Sequence, residues 1–348
     1  TALGKKNVFW VEPNCFVLNI VFAWEQAIAK TTESERGMIA SHRFPMFQAN
    51  ESKVDLDYLI AYLLTKRGTE ILKMVSPGGA GRNKTLSQEA FLKCKIPLPP
   101  LAEQKKIAAI LSTQDRVIEL KERRLEEKRR QKKYLMQVLL SGKIRLHGCL
   151  QKWKYVKART LFDNISDRKH EERLEVLSAT QDRGIIPRTQ VEIDIKFDER
   201  SLSSYKRVRR GNFVISLRSF QGGIEYSDYD GLISPAYTVL SPSEKISSKF
   251  YKQYFKSDDY VNRLNVAVYG IRDGKQISYD DFGNIKIPYP PQEVQEEIAD
   301  ILSTADRELS LLRADLEQER QKKKALMQLL LSGLVRVNAK GGEADGAV

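Results

Sequence analysis

The chain has 348 residues, of which 41% are hydrophobic and 30% charged, so it is long enough for two or three domains with apolar cores. Its 58 Lys and Arg residues outnumber 45 Asp and Glu residues, and the net charge of +13 favours a polyanionic partner such as nucleic acid. Cys15, Cys94 and Cys149 form no CxxC pair, which excludes a disulfide framework and a typical zinc site. The longest apolar stretch, 16–24, is too short to span a bilayer, and no signal peptide is expected.

Residues 1–95 are expected to form a first mixed α/β domain, with a strand at 16–18 and a helix across 56–74. The domain includes a Gly-rich loop, 76–85, whose residues Arg82, Asn83 and Lys84 are candidates for nucleic-acid binding. Such side chains bond to phosphates and base edges, and glycines let the backbone approach a phosphate closely.

Residues 96–146 are expected to form a first long helix. The Pro-Pro pair within 96–100 marks its start, because proline is not tolerated inside a helix. No Gly or Pro follows until Gly142, which stands where a C-terminal cap is expected. A helix of about 38 residues is roughly 57 Å long.

Residues 147–286 are expected to form a second mixed α/β domain, with strands at 191–195 and 212–217, a turn at 219–223 and a helix across 249–264. A Gly-rich loop, 269–276, again precedes the next long helix. Each basic residue alone is more often a solvated surface charge, but a loop that recurs in both domains favours a function. The candidates for nucleic-acid binding in this domain are Arg207, Arg209, Arg210, Arg218, Gln221, Arg272, Lys275 and Gln276.

Residues 287–337 repeat the first long helix, and 338–348 are expected to be a disordered tail. Ile-Pro-Tyr-Pro-Pro at 287–291 matches Ile-Pro-Leu-Pro-Pro at 96–100, a shift of 191 residues that continues without a gap to the closing Leu-Leu-Ser-Gly. The match continues upstream with gaps, so the chain contains two copies of one unit. Only about 15 residues precede the strand at 16–18, against roughly 60 in the second copy, so the first domain is expected to lack its N-terminal portion.

Leucines of the second long helix follow alternating steps of three and four, which is typical of a coiled-coil seam. The first helix has lysines at several seam positions, and a seam lysine is tolerated where it faces an acidic group of the partner helix. We therefore expect the two helices to pair with each other, antiparallel; two solvated linkers would not explain the leucine stripe. The expected interface residues are Leu111, Ile118, Leu125, Leu135, Leu139, Leu302, Leu309, Leu312, Leu316, Leu326 and Leu330.

The doubled motif, Ile-Pro-x-Pro-Pro, then Gln-x-x-Ile-Ala-x-Ile-Leu and later Leu-Met-Gln-x-Leu-Leu-Ser-Gly, resembles the specificity subunit of type I restriction–modification enzymes. Trp-Lys-Tyr-Val at 153–156 is similar to that family's domain starts, and the resemblance covers nearly the whole chain.

The resemblance implies an α+β fold in which two target recognition domains are separated by two long helices that pair as an antiparallel coiled coil. Each domain would bind one half of a bipartite double-stranded DNA target, and the helix length would set the gap between the halves. The helices would also dock the adenine methyltransferase subunits, with a restriction subunit as a further partner. The chain itself would be a cytoplasmic, non-catalytic subunit without a cofactor or a metal.

Two other functions remain open on sequence grounds. A coiled-coil scaffold without direct DNA readout is the first, and a fused nuclease or methyltransferase is the second. The segment 78–85 departs from a P-loop at Asn83, and the acid-x-lysine triplets at 51–53 and 194–196 have no convincing upstream Pro-Asp. The chain contains no Asn-Pro-Pro-Tyr, and His42, His147 and His170 have no ligand or triad spacing.

Overall fold

A computed structural model describes residues 8–79, 84–146, 152–170, 174–180, 183–191, 199–216, 223–267 and 277–338. The chain divides into two compact units. The first unit combines Thr1–Arg124 with Leu312–Val348, and the second is Leu125–Leu311. Among the helices described, none combines the length and apolar character needed to cross a membrane.

The first unit begins with five short strands that form two antiparallel sheets. The strands are β1 (Val8–Trp10), β2 (Phe16–Leu18), β3 (Ile28–Lys30), β4 (Ile39–Ser41) and β5 (Met46–Phe47). One sheet pairs β1 with β4, and the other has the order β3-β2-β5. Phe16 and Leu18 alternate with Val17 along β2 and lie in the core of the unit, as period-two spacing requires.

Three short helices follow: α1 (Leu56–Leu63), α2 (Lys66–Met74) and α3 (Gln88–Leu92). The single helix expected across 56–74 is therefore wrong. Thr65 interrupts it, because its hydroxyl donates to the carbonyl of Tyr62 at 2.7 Å and accepts from the backbone N–H of Gly68 at 3.2 Å. A threonine in this position caps a new helix instead of continuing the old one.

The helix α4 (Leu101–Leu139) is 39 residues long and begins directly after Pro100. Gly142 has a φ of +68°, and the backbone N–H of Ile144 bonds to the carbonyl of Val138 at 3.1 Å. A left-handed glycine followed by such a bond is how helices commonly end, so Gly142 lies where a C-terminal cap was expected.

Within the residues that the structure describes, the second unit contains, after the end of α4, ten strands, three short helices and the start of the second long helix. In chain order these are β6 (Lys154–Lys157), β7 (Phe162–Ile165), β8 (Leu177–Thr180), β9 (Gly184–Pro187), β10 (Lys206–Val208), β11 (Phe213–Ile215), β12 (Ile224–Tyr226), β13 (Gly231–Ile233), β14 (Thr238–Pro242), α5 (Ser248–Tyr254), α6 (Asp258–Ala267), α7 (Tyr279–Asn284), β15 (Lys286–Tyr289) and α8 (Gln292–Leu331). The expected strand at 212–217 corresponds to β11. Residues 192–195 of the other expected strand, and all but the end of the expected turn, lie outside the described residues.

The helix expected across 249–264 is also two helices. Ser257 separates α5 from α6, since its hydroxyl donates to the carbonyl of Tyr254 and accepts from the backbone N–H of Tyr260. Thr65 makes the same two kinds of contact in the first unit, so both copies contain the same interrupted helix pair.

The two units repeat strand by strand. The pair β10–β13 corresponds to β1–β4, and β12-β11-β14 corresponds to β3-β2-β5, all antiparallel. The second unit adds β7 to its larger sheet, the pair β6–β15 and the hairpin β8–β9. This arrangement, with its two long helices, confirms the expected α+β fold with two repeated mixed domains.

Helix pairing and candidate nucleic-acid interface

Seam residues of α4 form polar contacts with α8 within the first unit. Lys121 donates to Asp315 Oδ1 at 2.7 Å and to Glu319 Oε1 at 2.9 Å. Gln114 donates to the other carboxylate oxygen of Glu319 at 2.7 Å. The seam lysine therefore faces acidic groups, as its position predicts.

The same kind of contact continues within the second unit. Lys128 pairs with Glu308 at 2.9 Å, and Lys132 pairs with Asp306 at 2.5 Å. The partner number in α8 falls as the number in α4 rises, in this unit and in the first. The expected antiparallel pairing of the two helices is confirmed.

Apolar residues fill the seam between these ion pairs. Leu111 and Leu330 belong to the core of the first unit, and Leu139 and Leu302 belong to the core of the second. Leu125, Leu309 and Leu316 are also buried, whereas the half-buried members of the expected set are Ile118, Leu135, Leu312 and Leu326. Their role as interface residues remains a prediction that this burial supports.

The polar contacts change the pKa values of the carboxyl groups that take part. The hydrogen bond from Lys121, followed by that from Gln114, lowers the pKa of Glu319 to about 2. Two hydrogen bonds from Arg336, at 2.6 and 2.8 Å, likewise lower the pKa of Glu103. Both carboxylates therefore stay ionised to a lower pH than an ordinary glutamate does.

A buried glutamine near the start of each long helix was missed by the sequence analysis. Gln104 accepts a hydrogen bond from the backbone N–H of Asp55 at 3.0 Å and donates to the carbonyls of Lys53 and Pro99. Gln295 accepts from the N–H of Ser247 at 2.9 Å and donates to the carbonyl of Pro290. Both glutamines thus link the long helix to the residue just before α1 or α5. Gln104 and Gln295 match each other in the repeat and lie on the helix face that the apolar spacing turns inward. That match was the signal that the sequence contained.

Three candidate nucleic-acid residues lie on or just after β10. Arg209 and Arg210 are exposed, and Arg207 is half-buried with its backbone N–H bonded to the carbonyl of Asp167. The Nε of Arg210 donates to the carbonyl of Asp228 at 2.9 Å, so part of this side chain stabilises a neighbouring turn. Lys206, which the sequence analysis did not select, is partly buried, and desolvation lowers its pKa.

Of the remaining candidates, Lys84 is the one that the structure describes. Lys84 lies 4.8 Å from the ring centroid of Trp24, a cation–π contact within the first unit. The other candidates, Arg82, Asn83, Arg218, Gln221, Arg272, Lys275 and Gln276, lie outside the described residues. The assignment of all these residues to a nucleic-acid surface stays a prediction.

The acidic, cysteine and histidine side chains bear on metal binding and catalysis. Within the ranges that the structure describes, no group of three or more His, Cys, Asp or Glu side chains could hold a metal ion. His170 bonds through Nε2 to the carbonyl of Tyr205 at 2.9 Å, and His42 is exposed.

Known proteins resemble this chain in both sequence and fold. Residues 14–128 and 196–319 match the family of type I restriction modification DNA specificity domains. The MjaVIII type I restriction enzyme specificity subunit of Methanocaldococcus jannaschii is 28% identical over 343 residues, which cover 92% of this chain and 79% of that protein. The MjaX specificity subunit of the same organism is 27% identical over 311 residues, covering 84% and 71%.

Solved structures agree in fold. The S subunit of the type I restriction–modification system of M. genitalium superposes with a TM-score of 0.59 at 16% identity and covers 94% of this chain and 84% of that chain. The HsdS subunit of Thermoanaerobacter tengcongensis has a TM-score of 0.50 at 19% identity, covering 94% and 82%. Because the family's domain matches more than half of the residues, in two copies, the chain belongs to the type I restriction–modification DNA specificity family.

Proposed function

We propose that this chain determines the DNA sequence specificity of a type I restriction–modification complex, with each unit binding one half of a bipartite target. The observation that carries the proposal is the repeat of one fold: two units share five antiparallel strands and an interrupted helix pair. Two copies of one fold offer two equivalent binding surfaces, as the recognition of a two-part target needs. Membership of the DNA specificity family supports DNA as that ligand.

Charge supports the same ligand. The net charge of +13 favours binding to the phosphate backbone. The candidate residues are mostly arginines and lysines, with Asn83, Gln221 and Gln276 as polar additions. Arginine and lysine bond to phosphates and to guanine, and the amides of asparagine and glutamine bond to adenine.

The long helices have two proposed roles. Both helices extend across the sequence boundary between the units, so their length would set the gap between the two half-sites. Their outward surfaces would dock the adenine methyltransferase subunits, with a restriction subunit as a further partner. The relatives are named as specificity subunits of restriction enzymes, which supports such an assembly.

We further propose that the chain performs no catalysis itself. The P-loop-like and nuclease-like segments each depart from the required pattern, and the chain carries no Asn-Pro-Pro-Tyr. Purified chain incubated with DNA, Mg²⁺ and S-adenosylmethionine should neither cleave nor methylate the DNA. Turnover by the chain alone would favour the fused-enzyme alternative.

The DNA-binding surface can be tested at the Gly-rich loop of the second copy. Arg272→Ala and Lys275→Ala should each weaken the binding of target DNA and reduce its salt dependence, because one phosphate contact is lost. The fold should be intact by circular dichroism. Binding is measured by fluorescence anisotropy across a salt series, with methyltransferase subunits present.

A matched control is Lys245→Ala, which removes an exposed lysine of the same unit elsewhere in the chain. Equal effects of the control and the loop variants would remove the loop from the interface. Binding without any dependence on salt would favour the scaffold alternative, since counterion release accompanies phosphate contacts.

A further inference from the structure

A groove in the first unit lies between the α1–α2 junction and the C-terminal end of α8. It has a volume of about 710 Å³. Its apolar surface comes from Leu64, Met327, Leu331 and Leu334. Leu334 is 73% exposed, so apolar surface in this groove, here called the first groove, remains open to solvent. Apolar surface in a concave site is typical of places where another apolar group binds.

The charged residues that line the first groove are all cations: Lys66, Arg67, Arg320, Lys323 and Lys324. Arg320 pairs with Glu122 and Lys323 with Asp115, so these two are neutralised within the unit. Among the residues that the structure describes, none of Lys66, Arg67 and Lys324 forms an ion pair. The first groove therefore combines an apolar floor with uncompensated positive charge.

The second unit contains the equivalent groove, here called the second groove, with a volume of about 650 Å³. Its long-helix residues are the counterparts of those in the first groove at the same shift of 191 residues: Met136 matches Met327, and Leu140 matches Leu331. Asp258 and Asp259 stand where the first groove has Lys66 and Arg67, relative to the capping residues Ser257 and Thr65.

This difference in charge decides which charged side chains of each groove have a partner within the unit. In the second groove, Asp258 lies 3.7 Å from Lys133 and accepts a hydrogen bond from Gln137 at 3.3 Å. The equivalent positions of the first groove carry Lys66 and Lys324, two exposed cations. The second groove therefore contains an acid–base pair of its own, whereas the cations of the first groove are free to pair with an anionic partner.

We infer that the first groove, and not the second, docks an acidic amphipathic segment of a partner polypeptide. Apolar side chains of the segment pack against Met327, Leu331 and Leu334, and its carboxylates pair with Lys66, Arg67 and Lys324. The apolar floor favours a peptide over a nucleic-acid backbone, which offers phosphates but no apolar side chains. The methionine lets the floor adapt to different side chains. This goes beyond the proposed function, since a chain lacking this site would still bind its DNA target.

The test measures binding of a fluorescein-labelled amphipathic peptide of about fifteen residues, with Leu and Ile on one helical face and Glu on the other. The full chain should bind one peptide. Lys66→Asp combined with Arg67→Asp, which copies the acid pair of the second groove, should weaken binding roughly tenfold, because two attractive pairs become repulsive. The matched control, Lys73→Asp with Lys105→Asp, makes the same charge change at exposed sites outside the groove and should bind like the unaltered chain.

Three results would overturn the inference. They are equal weakening by the control, equal binding of an acidic peptide whose apolar residues are replaced by Ser, and displacement of the peptide by duplex DNA whose own binding depends on Lys66 and Arg67. If the double variant does not fold, as judged by circular dichroism, Lys324→Asp on the exposed side of α8 carries the test. It should weaken peptide binding severalfold, and binding as tight as that of the unaltered chain would contradict the role of these cations.

Discussion

Gln104 and Gln295 show how single side chains fix a long helix to a globular domain. Each is buried and bonds both to the backbone just before its own helix, at Pro99 or Pro290, and to the backbone just before α1 or α5, at Asp55 or Ser247. A buried amide that satisfies backbone groups is costly to remove, because those groups then lose their partners without gaining water.

Gln104→Ala and Gln295→Ala should therefore each lower the free energy of unfolding by about 1–3 kcal/mol per unsatisfied backbone group. Urea unfolding followed by circular dichroism measures the change. The control is Gln131→Ala on the exposed face of α4, which should change stability by less than about 0.5 kcal/mol. A loss no larger than that of the control would show that the buried amides do not hold the helix.

The sequence predicted the surroundings of some residues well and those of others poorly. Lys121 was expected to face an acidic group because a charge on a seam needs a partner, and it faces Asp315 and Glu319. Gln104 gave a weaker signal, its match with Gln295 in the repeat, because a glutamine in a helix is more often solvated, and its backbone partners reveal its role. Which residues contact bases depends on the geometry of the loops that carry them. Side-chain type alone could therefore indicate the loops that bind DNA but not the individual contacts.

The long helices were the most predictable elements. Pro-Pro pairs and Gly142 marked their ends to within a few residues, because proline and left-handed glycine act through local backbone geometry. The breaks at Thr65 and Ser257 were missed. Threonine and serine interrupt a helix only when their hydroxyls cap the next one, and that depends on packing around the junction.

The pairing of the helices should depend on pH through Glu319. The pKa of Glu319 is about 2 in the folded chain, below its ordinary value of 4.5. Its contact with Lys121 therefore stabilises the folded state fully at a pH above 4.5. That stabilisation is lost as the pH falls from 4.5 to about 2. The melting temperature of Glu319→Gln should therefore fall less on acidification than that of the unaltered chain.

Thermal melts across this pH range, followed by circular dichroism, provide the measurement. Glu127→Gln is the matched control, since Glu127 is an exposed carboxylate on α4. It should show the same acid sensitivity as the unaltered chain. Identical pH profiles for Glu319→Gln and Glu127→Gln would show that the seam contact does not contribute.

At the scale of the whole chain, the repeat itself was the strongest sequence signal. It predicted two units of one fold, and the strand orders agree from β1–β5 to β10–β14. The compact units could not be predicted, because each combines a globular part with portions of both long helices from distant parts of the sequence. Antiparallel pairing brings those portions together.

The role of the helices in spacing the half-sites predicts the effect of an insertion. Seven residues added to each long helix at the boundary between the units, after Arg124 and after Leu311, preserve the seam and lengthen the pair by about 10 Å. The preferred gap between half-sites should increase while both half-site sequences stay the same. Selection from a randomised DNA library measures both, and a gap that stays constant would contradict the spacing role.

The most direct test of the account is to map methylated adenines in cells that carry this chain together with a type I methyltransferase subunit. Specificity carried by two units predicts methylation within a two-part sequence with a fixed gap. Replacing 152–286 with the equivalent residues of another family member should change one half of that sequence only. Methylation that is independent of this chain, or a replacement that alters both halves or neither, would contradict it.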